Sequence, residues 1–522
     1  MSAADAAQRW SSLISLATLG TNRAPTSPEK LWPTADMEIP GGSPERLLLR
    51  AAATAFLWQI SGTRVASAAI QAPNPAPESQ DRLVRENAAW RLARMLTGEH
   101  RNLVPEWFAL AAQSRLVLPS HWLPVVLDRL EVHERAIASP VLGQRALWLA
   151  ERNPAWAFSA TTHVPLLVRW LNGTVAERRA ELAAMRRVDP VGGRVWLEKT
   201  WKTDPPDARA AFLETMLNTP GLSAADEPFL ESALDDKRKD VRAATVECLC
   251  QLPSSAYARR NLDRLSSLIL LDPAGSGFLG KLRKRHLTIR LPEVLDKAAV
   301  RDGIQAKPPA HRKIGERAYW LVQMVSLARP VQWCERFGCD IQTFLDAVLA
   351  SDYPADLLTA LSEAACRYHD AEWISALCIR LQSWPDQIEA QDRAGTLLAG
   401  LIAAAPQASQ DAILGQLLDA SHARQLELLQ AALVAGSVGW SADTTRRVFE
   451  LLEERIRKDA GSHPYAFNTI ADWGPRADAP RAAAALTRLL DQCPDKSPWR
   501  NALDKLNATI EFRAAIRQEL LT

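Results

Sequence analysis

Two pairs of soft donors stand close enough in the chain to suggest a metal: Cys334-x4-Cys339 and Cys366-x2-His369. Thiolate sulfur and imidazole nitrogen are the donors a tetrahedral zinc site takes. Cys334 and Cys339 flank a turn at Gly338, which suits such a site. The second pair sits mid-helix, however, with Cys378 competing, and neither spacing is that of a tight zinc motif. Cys248 and Cys250 point to different sides of one helix. The seven cysteines therefore read as small apolar packing residues, and neither a metal nor a cofactor is expected.

A basic run offers different chemistry. Lys281, Arg283, Lys284, Arg285 and His286 stand together, and Arg301, Lys307, Arg312 and Lys313 follow. Such a cluster can be a plain solvated loop, can meet an acidic protein surface, or can neutralise phosphates. Only Phe278, just upstream, offers a ring for base stacking, so an acidic protein surface is favoured over nucleic acid.

Signs of catalysis are missing. Asp235 and Asp236 could do acid–base work only if a pocket desolvated one of them, and they suit the capping of a helix start better. None of the nine histidines lies in an HExxH pattern, and Ser254-Ser255 lacks the G-x-S-x-G elbow. Gly192-Gly193 after Asp189-Pro190 could start an anion-binding helix, and Gly275 and Gly277 could bend a loop, yet no phosphate-cradling pattern surrounds either pair. No catalytic residue is assigned, and an enzyme is not expected.

The elements that would position these residues are helices. Residues 226–260, DEPFLESALDDKRKDVRAATVECLCQLPSSAYARR, read as two short helices, a charged turn and the start of a third. Phe229, Leu230, Ala233 and Leu234 give the first an apolar stripe; Val241, Ala244, Cys248 and Leu249 give the second another. Pro253 stops that helix, and Ser254 or Ser255 can cap the next. A helix pair of this kind cannot bury its faces alone and must stack on neighbours.

The same cadence runs through the chain. A first helix is expected over about 4–19, a second from near Pro44, and a third around Arg82–Leu96. Breaks then fall at Pro105, Pro119, Pro140, Pro154, Pro165, Pro190, Pro205 and Pro220. Sustained period-2 alternation is nearly absent, which excludes a β-rich fold. One long irregular stretch, Leu270 to Ala310, holds LTIRLPEV (287–294), the best candidate for a strand. It separates an N-terminal helical array (1–270) from a C-terminal one (311–522), with the irregular segment itself at 271–310.

Composition agrees with a folded helical protein of 522 residues. Hydrophobic residues make up 47% and charged ones 23%, and 62 basic against 60 acidic residues leave a net charge of +2, too balanced for a chain coated in nucleic acid. The opening MSAADAAQRWSSLISLATLG has no basic leader and carries Asp5 and Arg9, so it reads as an amphipathic helix and not a signal peptide. With no apolar run long enough to span a bilayer, and with reduced-looking thiols, the expected location is cytoplasmic, away from membranes. Trp32, Trp384 and Trp473 stand beside Pro or Gly and are expected to plug gaps between repeats more than to anchor partners.

LATLGTNRAP (16–25), WLNGTVAERRAELAAMRRVDP (170–190), DEPFLESALDDKRKDVRAA (226–244) and RDGIQAKPP (301–309) with Gly315 together resemble a bacterial family known as a domain of unknown function. The resemblance spans essentially the full chain and implies a HEAT-type helical protein. It further implies partners, since such proteins are often encoded beside a MoxR-type AAA+ ATPase, a von Willebrand factor A protein and a SWIM zinc-finger protein. It brings no catalytic residues. The expectation is an all-α, HEAT-like α-solenoid of antiparallel helix pairs, acting as a non-enzymatic scaffold or adaptor. Its contact surface would be Lys281, Arg283, Lys284, Arg285, His286, Arg301, Lys307, Arg312 and Lys313; a nucleic-acid-binding repeat protein using the 281–286 run is the alternative.

Overall fold

The structure, a computed structural model, describes residues 3–21, 43–61, 76, 82–150, 152–153, 156, 166–272, 285–310, 314–383, 388–419, 426–458, 465–494 and 497–521. The chain is all-α, with only four strands of two or three residues among those described. It divides into two compact units, Met1–Ala76 and Pro77–Thr522. The first holds α1 (Ala3–Leu19) and α2 (Pro44–Ser61), packed through Leu13, Ala51 and Ala55.

The second unit opens with β1 (Arg82–Leu83), α3 (Glu86–Leu96), α4 (Val104–Gln113), β2 (Leu116–Val117), α5 (Leu123–Arg129) and α6 (Val132–Ala150). Next come α7 (Leu167–Asn172), α8 (Val175–Val188), α9 (Pro190–Thr200), α10 (Pro206–Leu217), α11 (Glu227–Ala233), α12 (Lys239–Cys250) and α13 (Ala256–Leu268). The middle of the chain supplies β3 (Ile269–Leu271), β4 (Leu287–Ile289) and the short α14 (Lys297–Arg301). The remainder is helical: α15 (Glu316–Leu327), α16 (Val331–Phe337), α17 (Ile341–Leu349), α18 (Pro354–Tyr368), α19 (Ala371–Gln382), α20 (Ile388–Ala404), α21 (Gln407–Asp419), α22 (Leu426–Ala435), α23 (Ala442–Lys458), α24 (Ala479–Gln492) and α25 (Pro498–Leu521).

Prolines stand at several helix starts, but the break expected at Pro140 is absent: Pro140 lies inside α6, whose backbone leaves helical geometry at Gly143 instead. Pro190, Pro206, Pro354 and Pro498 each stand at a helix start, where the missing N–H costs nothing. Asp340, Asp370 and Asp478 each accept the amide of the third residue on, and Ser255 does the same for Ala258. Asp235 and Asp236 do not cap α12. The residue before that helix is Arg238, without a side-chain cap, and the two carboxylates are held by arginines instead. Arg82 and Leu83 are not helical either, because they pair in parallel with Leu116 and Val117. The strand expected within 287–294 is present, antiparallel to β3 with Ile269 opposite Ile289.

Helices pack on their sequence neighbours and on the helix two along. Thus α10 lies against α8 and α12; α20 against α18 and α22; α19 against α17 and α21; and α21 against α23. Each buries a stripe at the 3-and-4 spacing, as Trp373, Ile374, Leu377, Cys378 and Leu381 do in α19. Trp473, one of the tryptophans beside a break, is fully buried against Trp440; Trp32 and Trp384 lie outside the described residues. No helix among the described residues is long and apolar enough to cross a membrane.

The last helix joins two cores of the second unit. The first half of α25 contributes Trp499, Leu503, Leu506 and Ile510 to the core built from residues 265–510. Its second half sends Ile516 and Leu520 into the core formed by residues 84–146. Between them stands Arg513, 4% exposed. Its guanidinium grips Glu106 of α4 in a fork at 2.6 and 2.9 Å and donates to the carbonyls of Gly474, at 2.6 Å, and Ala477. Arg91 of α3 and Glu519 add a second fork at 2.8 and 2.6 Å. Removing Arg513 leaves the Glu106 carboxylate, among the described residues, only the longer 3.3 Å bond from Arg517. Arg513→Met is therefore expected to cost about 3–5 kcal/mol. Hydrogen exchange should show the loss first as faster amides over 86–113, and unchanged exchange there would refute the joint.

Candidate functional site

The segment 301–307, part of the RDGIQAKPP stretch, is held by side chains and main chain from several helices of the second unit. Arg301 ends α14 and points back to α11: its Nε and Nη2 donate to the two Asp235 carboxylate oxygens at 2.6 and 3.1 Å. Nη2 also donates to the Glu231 carbonyl at 2.8 Å, and Nη1 to the Glu231 carboxylate at 3.3 Å. The Arg301 hydrogen bond holds the Asp235 carboxyl below its ordinary range, and Asp235 in turn raises the Arg301 guanidinium.

Asp302 is buried and takes two arginines from α13. Arg260 donates from Nη2 to Oδ1 at 2.8 Å and from Nε to Oδ2 at 3.1 Å; Arg264 donates to Oδ2 at 2.7 Å. The Asp302 carbonyl accepts from the buried Tyr257 hydroxyl at 3.1 Å. Arg260 also meets Glu231 at 3.0 Å, so three arginines and three carboxylates form one charge-balanced network across α11, α13 and α14.

Gly303 and Ile304 then close the helix by a Schellman turn. The Gly303 amide donates to Val300 at 3.1 Å and the Ile304 amide to Ala299 at 3.0 Å. Gly303 has φ +96°, and a Cβ there would lie 2.9 Å from Val246 of α12, so glycine is required on both counts. Ile304 is buried in the core. Gln305 and Gln323 of α15 bond reciprocally at 2.8 and 3.0 Å, and Trp320 donates its indole N–H to the Ala306 carbonyl at 2.8 Å. What emerges from these anchors is Lys307, exposed and without an ion pair among the described residues.

Beside this segment lies a groove of about 530 Å³ between α12 and α15. Val246, Ile304 and Leu327 give it an apolar floor, while Lys239, Arg242 and Lys307 stand around it. Arg242 spends its hydrogen bonds on the carbonyls of Asp236 and Lys237, which leaves its charge uncancelled. The far wall is the pair of Arg367 and Glu247, joined at 2.9 and 3.2 Å, with Arg367 also donating to the Ser326 carbonyl. A wider depression of about 890 Å³, lined in part by Ser362, Cys366 and His369, shares that wall.

The nine residues expected from sequence as a contact surface separate into groups. Lys281, Arg283, Lys284, Arg312 and Lys313 lie outside the described residues. Arg285 donates to the Asp272 carbonyl at 2.7 Å and to the Phe337 carbonyl at 3.2 Å, strapping the β3–β4 hairpin to α16. His286 extends that hairpin by accepting the Asp272 amide at 3.0 Å. Arg301 is bound up in the network above, and of the four described residues Lys307 alone lines the groove. Lys239, Arg242 and Arg367 were not singled out. The available signal was the three-residue spacing of Lys239 and Arg242, which sets both beside Val246 on one side of α12.

Among the described residues no three His, Cys, Asp or Glu side chains gather as a metal site. His369 ends α18 in the left-handed conformation and sets Nδ1 2.8 Å from the Ala404 carbonyl. Burial pushes the thiols of Cys250, Cys334 and Cys366 up to about 11 and that of Cys248 to about 12. That is the direction of an inert packing thiol, opposite to an activated nucleophile. At the Gly192 helix start, the amide is already taken by Asp189 at 2.9 Å.

A family model described as a family of unknown function (DUF5691) matches residues 12–520. No curated protein matches the chain.

Asp302→Asn keeps the shape of the network and removes its central charge, leaving Arg264 without a carboxylate. The expected cost is about 3 kcal/mol or more. Chemical denaturation of the full chain measures it, and a midpoint equal to wild type would show that the network does not hold this segment.

Proposed function

We propose that this chain, which belongs to the family of unknown function DUF5691, is a non-enzymatic scaffold that recognises protein partners through the face carrying residues 239–242 and 301–307. The observation that carries this reading is the contrast within one segment. Arg301 to Ala306 are fixed by side chains from α11, α13 and α15, while Lys307 at their end stays exposed and unpaired. A surface already ordered before contact binds at a smaller entropic cost.

The helix-on-helix packing supports a HEAT-like stacked array as the frame, because helices contact both their neighbours and those two along. Thiols held in the protonated form by burial and a charge-balanced arginine–carboxylate network support a structural reading over a catalytic one. The proposed location is the bacterial cytoplasm. The proposed partner is a MoxR-type AAA+ ATPase or its von Willebrand factor A companion, on the strength of the family resemblance alone. Nucleic-acid binding is less well supported, since Arg285 and Arg301 spend their donors inside the protein.

The test is titration calorimetry of the full chain with each purified candidate partner, after nuclease treatment. Saturable binding, weakened about tenfold by Lys307→Glu, is the expected result for a charged contact at an interface rim. Binding to neither protein would overturn the choice of partner, and binding abolished by nuclease would overturn the adaptor reading.

A further inference from the structure

The groove between α12 and α15 has the composition of a site for a particular kind of chain. Its floor is apolar, from Val246, Ile304 and Leu327. Lys239 and Lys307 are exposed and in no ion pair among the described residues, and Arg242 bonds only to carbonyls. Glu247 is the carboxylate among the lining residues, and Arg367 neutralises it. Three cations therefore surround an apolar floor with no anion left to balance them.

Local repulsion of this kind is not needed for folding. The neighbouring network shows how this protein arranges arginines when it only stabilises itself: Arg260, Arg264 and Arg301 are matched by Glu231, Asp235 and Asp302. A ligand that brings carboxylates restores the balance, and one that also brings an apolar side chain covers the floor. An opening of about 530 Å³ suits a few side chains and not a nucleic-acid duplex. A phosphate backbone would satisfy the cations and leave the apolar floor in contact with water.

We propose that this groove binds a short acidic segment of a protein partner, one apolar side chain resting on Val246, Ile304 and Leu327 and flanking carboxylates meeting Lys239, Arg242 and Lys307. The inference rests on the scaffold reading and names the chemistry of what is bound. The Glu247–Arg367 pair sets the far limit of the site, because the Arg367 donors are already committed to Glu247 and the Ser326 carbonyl. Selectivity follows: the segment must be acidic on both sides of a single apolar residue, and basic neighbours are rejected by three uncancelled charges.

The experiment uses the full chain and fluorescein-labelled peptides in which glutamates flank a central Leu, Ile, Phe or Met. A Ser-centred peptide, a lysine-flanked peptide and a single-stranded oligonucleotide of equal charge complete the set. The expected result is saturable polarisation for an apolar-centred acidic peptide, weakened about tenfold by Lys239→Glu with Lys307→Glu and falling with added salt. The Ser-centred peptide should bind less well, and the lysine-flanked one not at all. Both lysines are exposed, and an unchanged melting temperature checks that the double variant folds. Absence of binding by every acidic peptide, equal binding by the double variant, or equal binding by the oligonucleotide each overturns the inference. If a purified partner protein still binds in the first two cases, this groove assignment fails and the scaffold reading stands. If peptides bind as expected and neither candidate protein does, the groove assignment stands and the choice of partner fails.

Discussion

A carboxylate taken out of water must be surrounded by donors, and at Asp302 that requirement organises the 301–307 segment and the helices that hold it. Arg260 and Arg264 approach from α13, and the Tyr257 hydroxyl, also from α13, closes on the Asp302 carbonyl. With the side chain held, the next residue turns left-handed at Gly303 against Val246, and Ile304 drops into the core. The route of the chain from 301 to 307 follows from these contacts, and so does the side of the groove it builds. Arg260 carries two carboxylates at once, Asp302 and Glu231, so the loop and α11 are tied to the same cation.

This local device sits in a unit whose last helix spans two cores. Helices that pack mainly on near neighbours in the chain leave distant parts of a unit weakly coupled unless some element joins them. Here α25 belongs to the larger core through Trp499 to Ile510 and to the core of residues 84–146 through Ile516 and Leu520. Arg513, buried between the halves, is satisfied by Glu106 and two main-chain carbonyls. Early and late parts of the second unit are thereby coupled, across a sequence separation of 407 residues between Glu106 and Arg513.

Much of the fold was legible in the sequence, for local reasons. The stripes Phe229–Leu234 and Val241–Leu249 follow helical periodicity and are buried or nearly so, and prolines such as Pro190 and Pro206 mark helix starts because proline lacks an N–H, whereas Pro140 lies inside α6. The β4 strand was visible in the β-branched, alternating LTIRL. Other features depend on contacts far apart in the chain. Asp235 and Asp236 look like caps until Arg301 and Arg209 arrive from other helices. Arg301 looks like part of a basic surface until Glu231 and Asp235 claim it. The groove is harder still to read, because Lys239, Lys307 and Leu327 share no sequence pattern and are brought together only by the packing of α12, α14 and α15.

The central claim is that the 301–307 segment is built before any partner arrives. Residue-resolved amide exchange of the free, full-length chain tests it most directly. The amides of Gly303, Ile304 and Gln305 are bonded to Val300, Ala299 and the Gln323 side chain at 3.1, 3.0 and 2.8 Å. Strong protection at all three, comparable with that of the neighbouring turns of α13 and α15, is the predicted result. Exchange at the rate of an unstructured peptide would mean that the segment is not preformed, and would contradict the account.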